Sequence, residues 1–442
     1  MGFINLYDNM IKYPSQGEKP NKMAHLVYIT HNVGSIIEYA GRTCYRSFNN
    51  IKEDSYKTFI AGIVKSGHES VIEHSNMVYV ILKNAHAYTK NDSNDINRYL
   101  INMIMYNGLL RVSENQAFYT ISGNIRMFKD LIREYIRVKA LNSKSNPIMD
   151  DILNSFYTLP EYFFIDMIKS GILNPDKFRL DPRLQHEASN ATTAHVLNQY
   201  VKVINVDDFS FKVKGFTVKK DGDDRAHRIS IPLSVLKRHN RMTLVIDAPR
   251  YITHQIVRHR LASYSQSSQR YCLEEGLNVY IPEAIAADPT AKATANMLFN
   301  SALSTYKQLI DENINKEDAR SVLTNAQMST IVMTATLEEF DHFVSVRADK
   351  AAQNFIRDMI AYPIKEFLEK YYAEQSAHTG KPSTTLTEKK ERYQRRQQNK
   401  HNAGNNKRQS TNGNKKPVKT KPTGNKPKSN NRNNNYKKKP NK

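Results

Sequence analysis

The chain has 442 residues and a formal charge of +22, from 65 Lys and Arg residues against 43 Asp and Glu residues. Residues 381–442 hold 20 of the basic residues and two of the acidic ones, so the rest of the chain is nearly balanced in charge. The two cysteines, Cys44 and Cys272, are too few for a disulfide framework or a cysteine-rich structural zinc site. No secretory signal and no apolar run of about 18 residues is visible, so we expect a cytoplasmic protein without a membrane span.

Apolar spacing and turn residues predict the elements of the first half of the chain. The predicted elements are helices at 56–65, 96–108 and 125–138, a strand at 77–83, and a hairpin with strands at 209–219 and 226–233. Gly67 is expected to end the first of these helices. The strand at 77–83 is rich in β-forming residues, which predicts that it is buried.

The second half of the chain alternates predicted strands and helices. They are a strand at 242–247, a helix that leads to Arg258-His259-Arg260, helices at 291–310 and 318–323, a strand at 331–334, and two later helices. Asp247 and Asp349 are expected to cap the helices that follow them. Thr336 and Glu339 form a capping-box pattern, which predicts that a helix begins there.

The segment 381–442 has the composition of a disordered tail. Thirteen of its residues are asparagine and only five are apolar or aromatic, so it cannot bury enough surface to offset the entropy of ordering. Its basic clusters could attract nucleic acid or another polyanion. The equally open alternative is a solubilising tail without a partner of its own.

The densest polar cluster of the body lies at 258–271. It contains Arg258-His259-Arg260, four serines and Arg270, and it follows a predicted strand and helix. Arginine matches phosphate oxygens in a bidentate manner, and serine hydroxyls add short donors. Because Arg258 and Arg260 would point about 200° apart on a helix, they could serve two different anions. The alternative is a solvated helix end with surface salt bridges.

The remaining polar motifs are less specific. His68 and His74 are six residues apart, which does not fit the four-residue spacing of a zinc-binding helix, so no metal site is predicted and His74 is interpreted as a core or capping histidine. Arg347 follows an apolar run, and this pattern alone favours an ion pair with Asp349 or Glu339 over an anion site. Neither a GxGxxG motif nor a P-loop is present, and Cys272 is interpreted as structural.

Five ordered blocks resemble the flavin-dependent thymidylate synthase family. The most specific is Arg258-His259-Arg260 followed after seven residues by Ser268, which is similar to the family's RHR-x7-S signature. The other blocks are 41–47, 67–74 with the family's GHE-x4-H pattern, 318–323 and 347–353. The resemblance covers most of 24–75 and 241–373.

This resemblance implies an α+β, flavin-dependent thymidylate synthase-like fold with a large insertion and a disordered basic tail. The expected domain boundaries are 1–83 and 241–380 for the two parts of the catalytic domain, 84–240 for the insertion and 381–442 for the tail. The implied reaction is methylation of dUMP at C5, with FAD as cofactor and with methylenetetrahydrofolate and NADPH as co-substrates. The family works as a homotetramer whose active sites combine several subunits.

The resemblance also implies roles for individual positions. FAD contacts are expected at Ser70, Arg258, His259, Arg260, Gln266, Thr336, Glu338 and His342. Contacts with dUMP are expected at Gln255, Arg258, Gln266, Ser267, Ser268, Gln269, Arg270, Arg320 and Arg347. The catalytic positions are Arg347, which would stabilise negative charge on the uracil ring, and His68, which would lie close to the flavin and the folate.

Some positions depart from the family pattern and leave alternatives open. Gln266 stands where some relatives have glutamate, and Thr336 and Glu338 replace an asparagine and an arginine of some members. Asn354 stands where many relatives have tryptophan. The alternative functions are hydroxymethyl transfer to a pyrimidine nucleotide on the same scaffold, and nucleic-acid binding by a degenerate enzyme scaffold.

Overall fold

The computed structural model describes residues 22–82, 110–114, 118–142, 145–184, 194–209, 217–218, 227–228 and 232–379. Its helices are α1 Val33–Tyr45, α2 Ser55–Lys65, α3 Ile125–Asn142, α4 Pro147–Phe156, α5 Ile165–Lys169, α6 Leu233–His239, α7 Arg250–Ile256, α8 Glu283–Ala286, α9 Pro289–Asp311, α10 Lys316–Ala319, α11 Leu337–Arg347 and α12 Tyr362–Thr379. Its strands are β1 Ala24–Ile29, β2 Met77–Leu82, β3 Arg111–Glu114, β4 Phe118–Gly123, β5 His195–Val196, β6 Val201–Val206, β7 Thr217–Val218, β8 His227–Arg228, β9 Arg241–Pro249, β10 Ala262–Gln266 and β11 Met328–Thr336. The predicted α+β class is confirmed.

Two antiparallel sheets organise these elements. A four-stranded sheet has the order β1-β2-β4-β3, and a five-stranded sheet has the order β10-β11-β9-β6-β5. In the centre of the larger sheet, Leu244 and Ile246 of β9 pack into one hydrophobic cluster, whereas Val245 packs into the other. Because successive side chains of a strand point to opposite faces, this strand lies between two cores and is apolar on both sides.

Most of the predicted elements are confirmed near their predicted bounds. The helices at 56–65, 125–138 and 291–310 correspond to α2, α3 and α9, and the strand at 77–83 corresponds to β2. The predicted hairpin is seen as the antiparallel pair β7 and β8, although Leu233, placed there in its second strand, begins α6. The predicted helix at 96–108 and the tail at 381–442 lie outside the described residues.

Two predicted helix caps are wrong. Asp247 remains inside β9, where it accepts a 2.5 Å hydrogen bond from Thr330 Oγ1, because the ladder with β11 continues as far as Pro249. Asp349 accepts a hydrogen bond from the Ala351 amide within a turn, and the last helical segment starts later, as a π-helix over Phe355–Ala361 that leads into α12. A cap requires the chain to enter a helix at the next residue, and in both places it does not.

The capping prediction at Thr336 is confirmed. Helix α11 begins at the next residue, and the Thr336 hydroxyl accepts a hydrogen bond from the Glu339 amide. The carboxylate of Glu339 does not complete the reciprocal contact of a capping box, because it pairs with Arg111 at 2.9 Å.

Residues of the predicted insertion at 84–240 contribute to both sheets. Strands β3 and β4 extend the smaller sheet, and β6 pairs with β9 at the centre of the larger one. Helices α3 and α4 pack into the hydrophobic cluster of the smaller sheet through residues such as Phe128 and Ile152. In the described residues, no helix is long and apolar enough to cross a membrane.

Candidate active site

The candidate site lies where helix α7 and the edge strand β10 meet. The predicted signature run leaves α7 at Ile256, turns through 257–261 and enters β10. Side chains alternate along β10, so Ser263 and Ser265 face the block at 67–74, whereas Tyr264 and Gln266 face α7. This alternation lets one short strand connect two of the five sequence blocks.

Arg347, at the end of α11, points into this corner. Its Nε donates to His259 Nε2 at 3.1 Å, and its Nη2 donates to the carbonyl oxygen of Gln255 at 2.9 Å. The side chain of Gln255 in turn donates to Gln353 Oε1 at 2.7 Å. The structure therefore brings together the signature and the block at 347–353, and the ion pair suggested by pattern alone, with Asp349 or Glu339, is wrong.

His259 must be neutral on Nε2 to accept this hydrogen bond. Burial, followed by the nearby Arg347 and His342, lowers the pKa of His259 to about 4. Tyr264 fixes the same turn, because its hydroxyl donates to the His259 carbonyl oxygen at 2.7 Å. Burial also lowers the pKa of Arg347 from its usual value, but an arginine remains charged at any physiological pH.

The two outer arginines of the signature, Arg258 and Arg260, are exposed. Among the residues that the structure describes, no carboxylate pairs with either guanidinium. Both side chains are therefore available as bidentate donors to an anion, which is the chemistry that the sequence assigns to them.

The loop after β10 is held by the N-terminal block at 41–47. The Ser268 amide donates to the Cys44 carbonyl oxygen at 3.1 Å, and Arg46 forms a salt bridge with the buried Glu274 at 2.7 Å. Ser267 and Gln269 are buried, whereas Ser268 is half-buried. The Ser268 hydroxyl accepts from the Arg270 amide, which leaves its own proton free to donate.

Two arginines predicted separately, Arg270 and Arg320, meet at Glu317. Arg270 Nε donates to the Glu317 carboxylate and Arg320 Nε donates to its backbone carbonyl oxygen, both at 3.1 Å. Burial, and then the positive charge of Arg320, lowers the pKa of the neighbouring Arg250. The carboxylate of Glu317 forms a salt bridge with Arg270, so it is Arg320 and Arg250 that leave an excess of positive charge here, which favours an anionic ligand.

The block at 67–74 forms a short turn, Glu69–Glu73, beside β10. His74 is fully buried and lies between Thr334 Oγ1 and Ser265 Oγ at 2.8 and 3.0 Å, so its interpretation as a core histidine is confirmed. His68 and Ser70 are exposed at the start of this turn. In the described part of the chain, neither side chain is hydrogen-bonded to the signature residues.

The remaining predicted flavin contacts occupy different settings. His342 is exposed, and its ring centroid is 5.8 Å from that of His259. Glu338 forms a salt bridge with Arg238 at 3.2 Å, Thr336 is buried as the cap of α11, and Gln266 donates to Thr253 and Ser329. His342 is therefore near the Arg347 corner, whereas Thr336 and Glu338 are already engaged in contacts of their own.

A cavity of about 820 Å³ lies behind the signature loop. Of the predicted site residues, Ser267 alone lines it, beside Tyr45, Arg46, Glu274 and insertion residues Gln199 and Tyr200. The carboxylate of Glu274 already neutralises Arg46. This cavity is therefore a weaker site for an anion than the corner between α7 and β10 that carries Arg258 and Arg260. Across the described residues, no group of three or more His, Cys, Asp or Glu side chains could hold a metal ion.

Three contributors to this region were not singled out from the sequence. Gln353 orients Gln255, Tyr264 fixes the turn at His259, and Glu274 anchors Arg46. Tyr264 and Gln353 stand inside blocks that the sequence does highlight, so position in a motif was an available signal. Glu274 carries no such signal, because its partner is more than 200 residues away along the chain.

The fold and the arginines at this corner describe an α+β protein with a surface suited to anionic ligands. Residues 25–91 and 232–371 match the family model described as thymidylate synthase complementing protein. The flavin-dependent thymidylate synthase of Pyrococcus furiosus is 36% identical over 137 residues, which cover 30% of this chain and 56% of that protein. The enzyme of the same name from Geobacter sulfurreducens is 36% identical over 127 residues, 28% of this chain and 54% of that protein.

The resemblance to the flavin-dependent thymidylate synthase family is therefore confirmed, and it is carried by residues 25–91 and 232–371. The chain spans about half the length of the curated relatives that it matches. Among solved structures, a UMP/dUMP methylase of Streptomyces cacaoi bound with 5-Br dUMP is 27% identical, with a TM-score of 0.27 over 30% of this chain and 68% of that one. The family model leaves residues 92–231 unmatched, and these fall within the predicted insertion.

Proposed function

We propose that this protein methylates dUMP at C5 to give dTMP, with FAD as cofactor and with methylenetetrahydrofolate and NADPH as co-substrates. The observation that carries the proposal is the placement of Arg347 on His259 and Gln255, which joins the signature to the block at 347–353. The family model matched by residues 25–91 and 232–371 and the names of the curated relatives support the same activity.

The donor set at the corner fits a flavin dinucleotide. Arg258 and Arg260 are exposed and have no carboxylate partner in the described residues, which suits the pyrophosphate of FAD. His68 and Ser70 are exposed in the block at 67–74, and His342 is exposed on α11 beside His259; the family resemblance implies flavin contacts at all three positions. When bound, the flavin supplies the hydride that converts the transferred one-carbon unit to a methyl group. The side chains of Thr336 and Glu338 are already engaged with the Glu339 amide and with Arg238. These two residues would therefore support flavin binding by positioning helix α11 and not by direct side-chain contacts.

The nucleotide phosphate is assigned to Ser268, Arg270 and Arg320. The two guanidiniums meet at Glu317, and the Ser268 hydroxyl has a proton free to donate. Charge-assisted hydrogen bonds of this kind are short and roughly twice as strong as neutral ones. Gln255, Gln266, Ser267 and Gln269 complete the set of residues that would surround the nucleotide.

Arg347 would act on the uracil ring by charge rather than by proton transfer. A guanidinium has five N–H donors, and within the described residues only two of those of Arg347 are engaged, with His259 and Gln255. The neutral His259 holds the plane of the guanidinium without competing for its charge. A fixed positive group stabilises the negative charge that develops on the pyrimidine and so makes C5 a better nucleophile.

The exposure of Arg258, Arg260, His68 and Ser70 is also compatible with an active site that is completed by neighbouring subunits. We include in the proposal the homotetramer that the family resemblance implies. A tetramer would cover these polar side chains together with bound FAD. Size-exclusion chromatography with light scattering, with and without FAD, measures this directly, and a stable monomer in both conditions would contradict it.

The experiment that tests the proposed reaction is mass analysis of the nucleotide product. The full chain is incubated with dUMP, methylenetetrahydrofolate, NADPH and FAD, and UMP is supplied in a parallel reaction. Gain of one methyl group by dUMP is the expected result. Gain of a hydroxymethyl group would favour the alternative transfer reaction, and an unchanged nucleotide despite bound FAD would reject the proposed activity.

A further inference from the structure

One face of helix α3 connects the insertion to the candidate site. Arg126, Lys129 and Arg133 are spaced three and four residues apart, which places them on the same side of the helix. Lys129 and Arg133 contact Glu69, the first residue of the turn Glu69–Glu73, and Arg126 contacts the last. Because the family model does not match α3, these contacts belong to the insertion of this chain.

Lys129 is the centre of these contacts. Its side chain is fully buried, and its Nζ donates to Glu69 Oε1 at 2.6 Å and to Asp166 Oδ1 at 2.7 Å. Arg133 bridges the same two carboxylates. A buried ammonium is costly unless it is paired and hydrogen-bonded, so these contacts of Lys129, together with those of Arg133, which also pairs with Asp130, fix the position of Glu69 closely.

The turn Glu69–Glu73 depends on such side-chain contacts, because it is only five residues long. At its far end, Glu73 accepts from Arg126 at 2.6 Å and from Ser263 Oγ at 3.1 Å. Its two ends are therefore fixed by ion pairs from α3 and by a hydrogen bond from β10. Ser70 stands directly after Glu69, and His68 directly before it, both with exposed side chains.

We propose that Lys129 is a positioning residue for flavin binding, acting through Glu69 to hold the turn that presents His68 and Ser70. The inference rests on the proposed function, because it takes these two residues as flavin contacts. It gives the insertion a role in the active site, since the insertion supplies the lysine that orders the cofactor turn. The nucleotide contacts lie on other elements, so Lys129 affects the flavin and not dUMP.

The test compares Lys129→Met with the matched variant Lys139→Met. Lys139 lies on the same helix and pairs with Asp150 at 2.8 Å, away from the turn. The dissociation constant of FAD is measured by quenching of flavin fluorescence, and that of dUMP by calorimetry. The rate of backbone hydrogen exchange over 66–76 is measured in the FAD-free protein. We expect Lys129→Met to weaken FAD binding about tenfold, which is the lower end of the loss seen when the outer partner of a metal ligand is removed, and to speed exchange over 66–76. Binding of dUMP stays as in wild type, and Lys139→Met changes none of these quantities.

A third variant, Arg126→Met, keeps the test decisive if Lys129→Met fails to fold. It removes a partly exposed ion pair from the other end of the same turn, and a smaller loss of FAD affinity with unchanged dUMP binding is expected. Wild-type FAD affinity and wild-type exchange in both variants would overturn the inference and leave the proposed function intact. A wild-type protein that binds no FAD would instead overturn the proposed function, and the inference with it.

Discussion

Replacement of Arg347 by alanine is expected to stop turnover while leaving the protein folded and able to bind FAD. The side chain makes two hydrogen bonds, to His259 and to the Gln255 carbonyl oxygen, and each contributes up to about 1.5–3 kcal/mol to stability, the range for a charged donor. In the reaction, removing one donor from developing negative charge costs about 2.7–4 kcal/mol, or roughly 10²–10³ in kcat. The turnover of Arg347→Lys should lie between that of wild type and that of Arg347→Ala, because an ammonium keeps the charge but cannot make both contacts at once.

The assay is tritium release from dUMP labelled at C5, with FAD affinity measured on the same preparations. Arg137→Ala is a suitable control, because Arg137 lies on the exposed face of α3 and pairs with Glu134. The control should match wild type in both measurements. An Arg347→Ala variant that turns over within about threefold of wild type would refute the electrostatic role of this residue, because that role predicts a far larger loss.

Three further predictions concern stability and the tail. Burial lowers the pKa of His74 from 6.5 to about 3. Between these pH values the unfolded chain binds a proton that the folded protein does not, so the free energy of unfolding should fall by up to about 1.4 kcal/mol per pH unit as the pH drops. Urea unfolding between pH 7 and pH 5 measures this trend, and a His74→Gln variant with the same slope as wild type would contradict it. A Cβ at Gly34 would lie 2.4 Å from the buried ring of Tyr56, so Gly34→Ala should destabilise the protein by about 1–3 kcal/mol. A Cβ at Gly62 would have no heavy atom of the described residues within 4 Å, so the control variant Gly62→Ala should not destabilise it. Equal urea midpoints of the two variants would contradict this prediction. Truncation after Gly380 should leave turnover unchanged and abolish any salt-dependent binding to RNA or DNA, and loss of turnover by a folded, FAD-bound truncated protein would show that the tail is needed for the reaction.

Local patterns predicted the regular elements of this fold well. The helix at 56–65 and the strand at 77–83 follow from apolar spacing, because burial of one face or of a whole strand leaves a clear periodicity. The cap at Thr336 was also predictable from local sequence, because its hydrogen-bond partner, the Glu339 amide, is only three residues away. The caps predicted at Asp247 and Asp349 fail because strand pairing and a turn determine the backbone there, and neither is visible locally.

The candidate site was predictable in its residues but not in its contacts. The family resemblance names Arg347, His259 and Gln255, yet nothing in the sequence pairs Arg347 with residues 88 and 92 positions away. The sequence suggested nearby acidic partners instead, because local spacing is the only distance that it provides. The contact of Lys129 with Glu69 is hidden in the same way, since a single lysine in a helix normally indicates a solvated face.

The most direct test of the proposed activity is the absorbance of the flavin band during a single anaerobic turnover. The FAD-loaded protein is first bleached with NADPH, and then dUMP and methylenetetrahydrofolate are added separately and together. If the protein catalyses the proposed reaction, the oxidised band returns only when both are present, because transfer and reduction of the one-carbon unit need the nucleotide and the folate at once. A protein that binds no FAD, or a band that stays bleached with both substrates present, would contradict it.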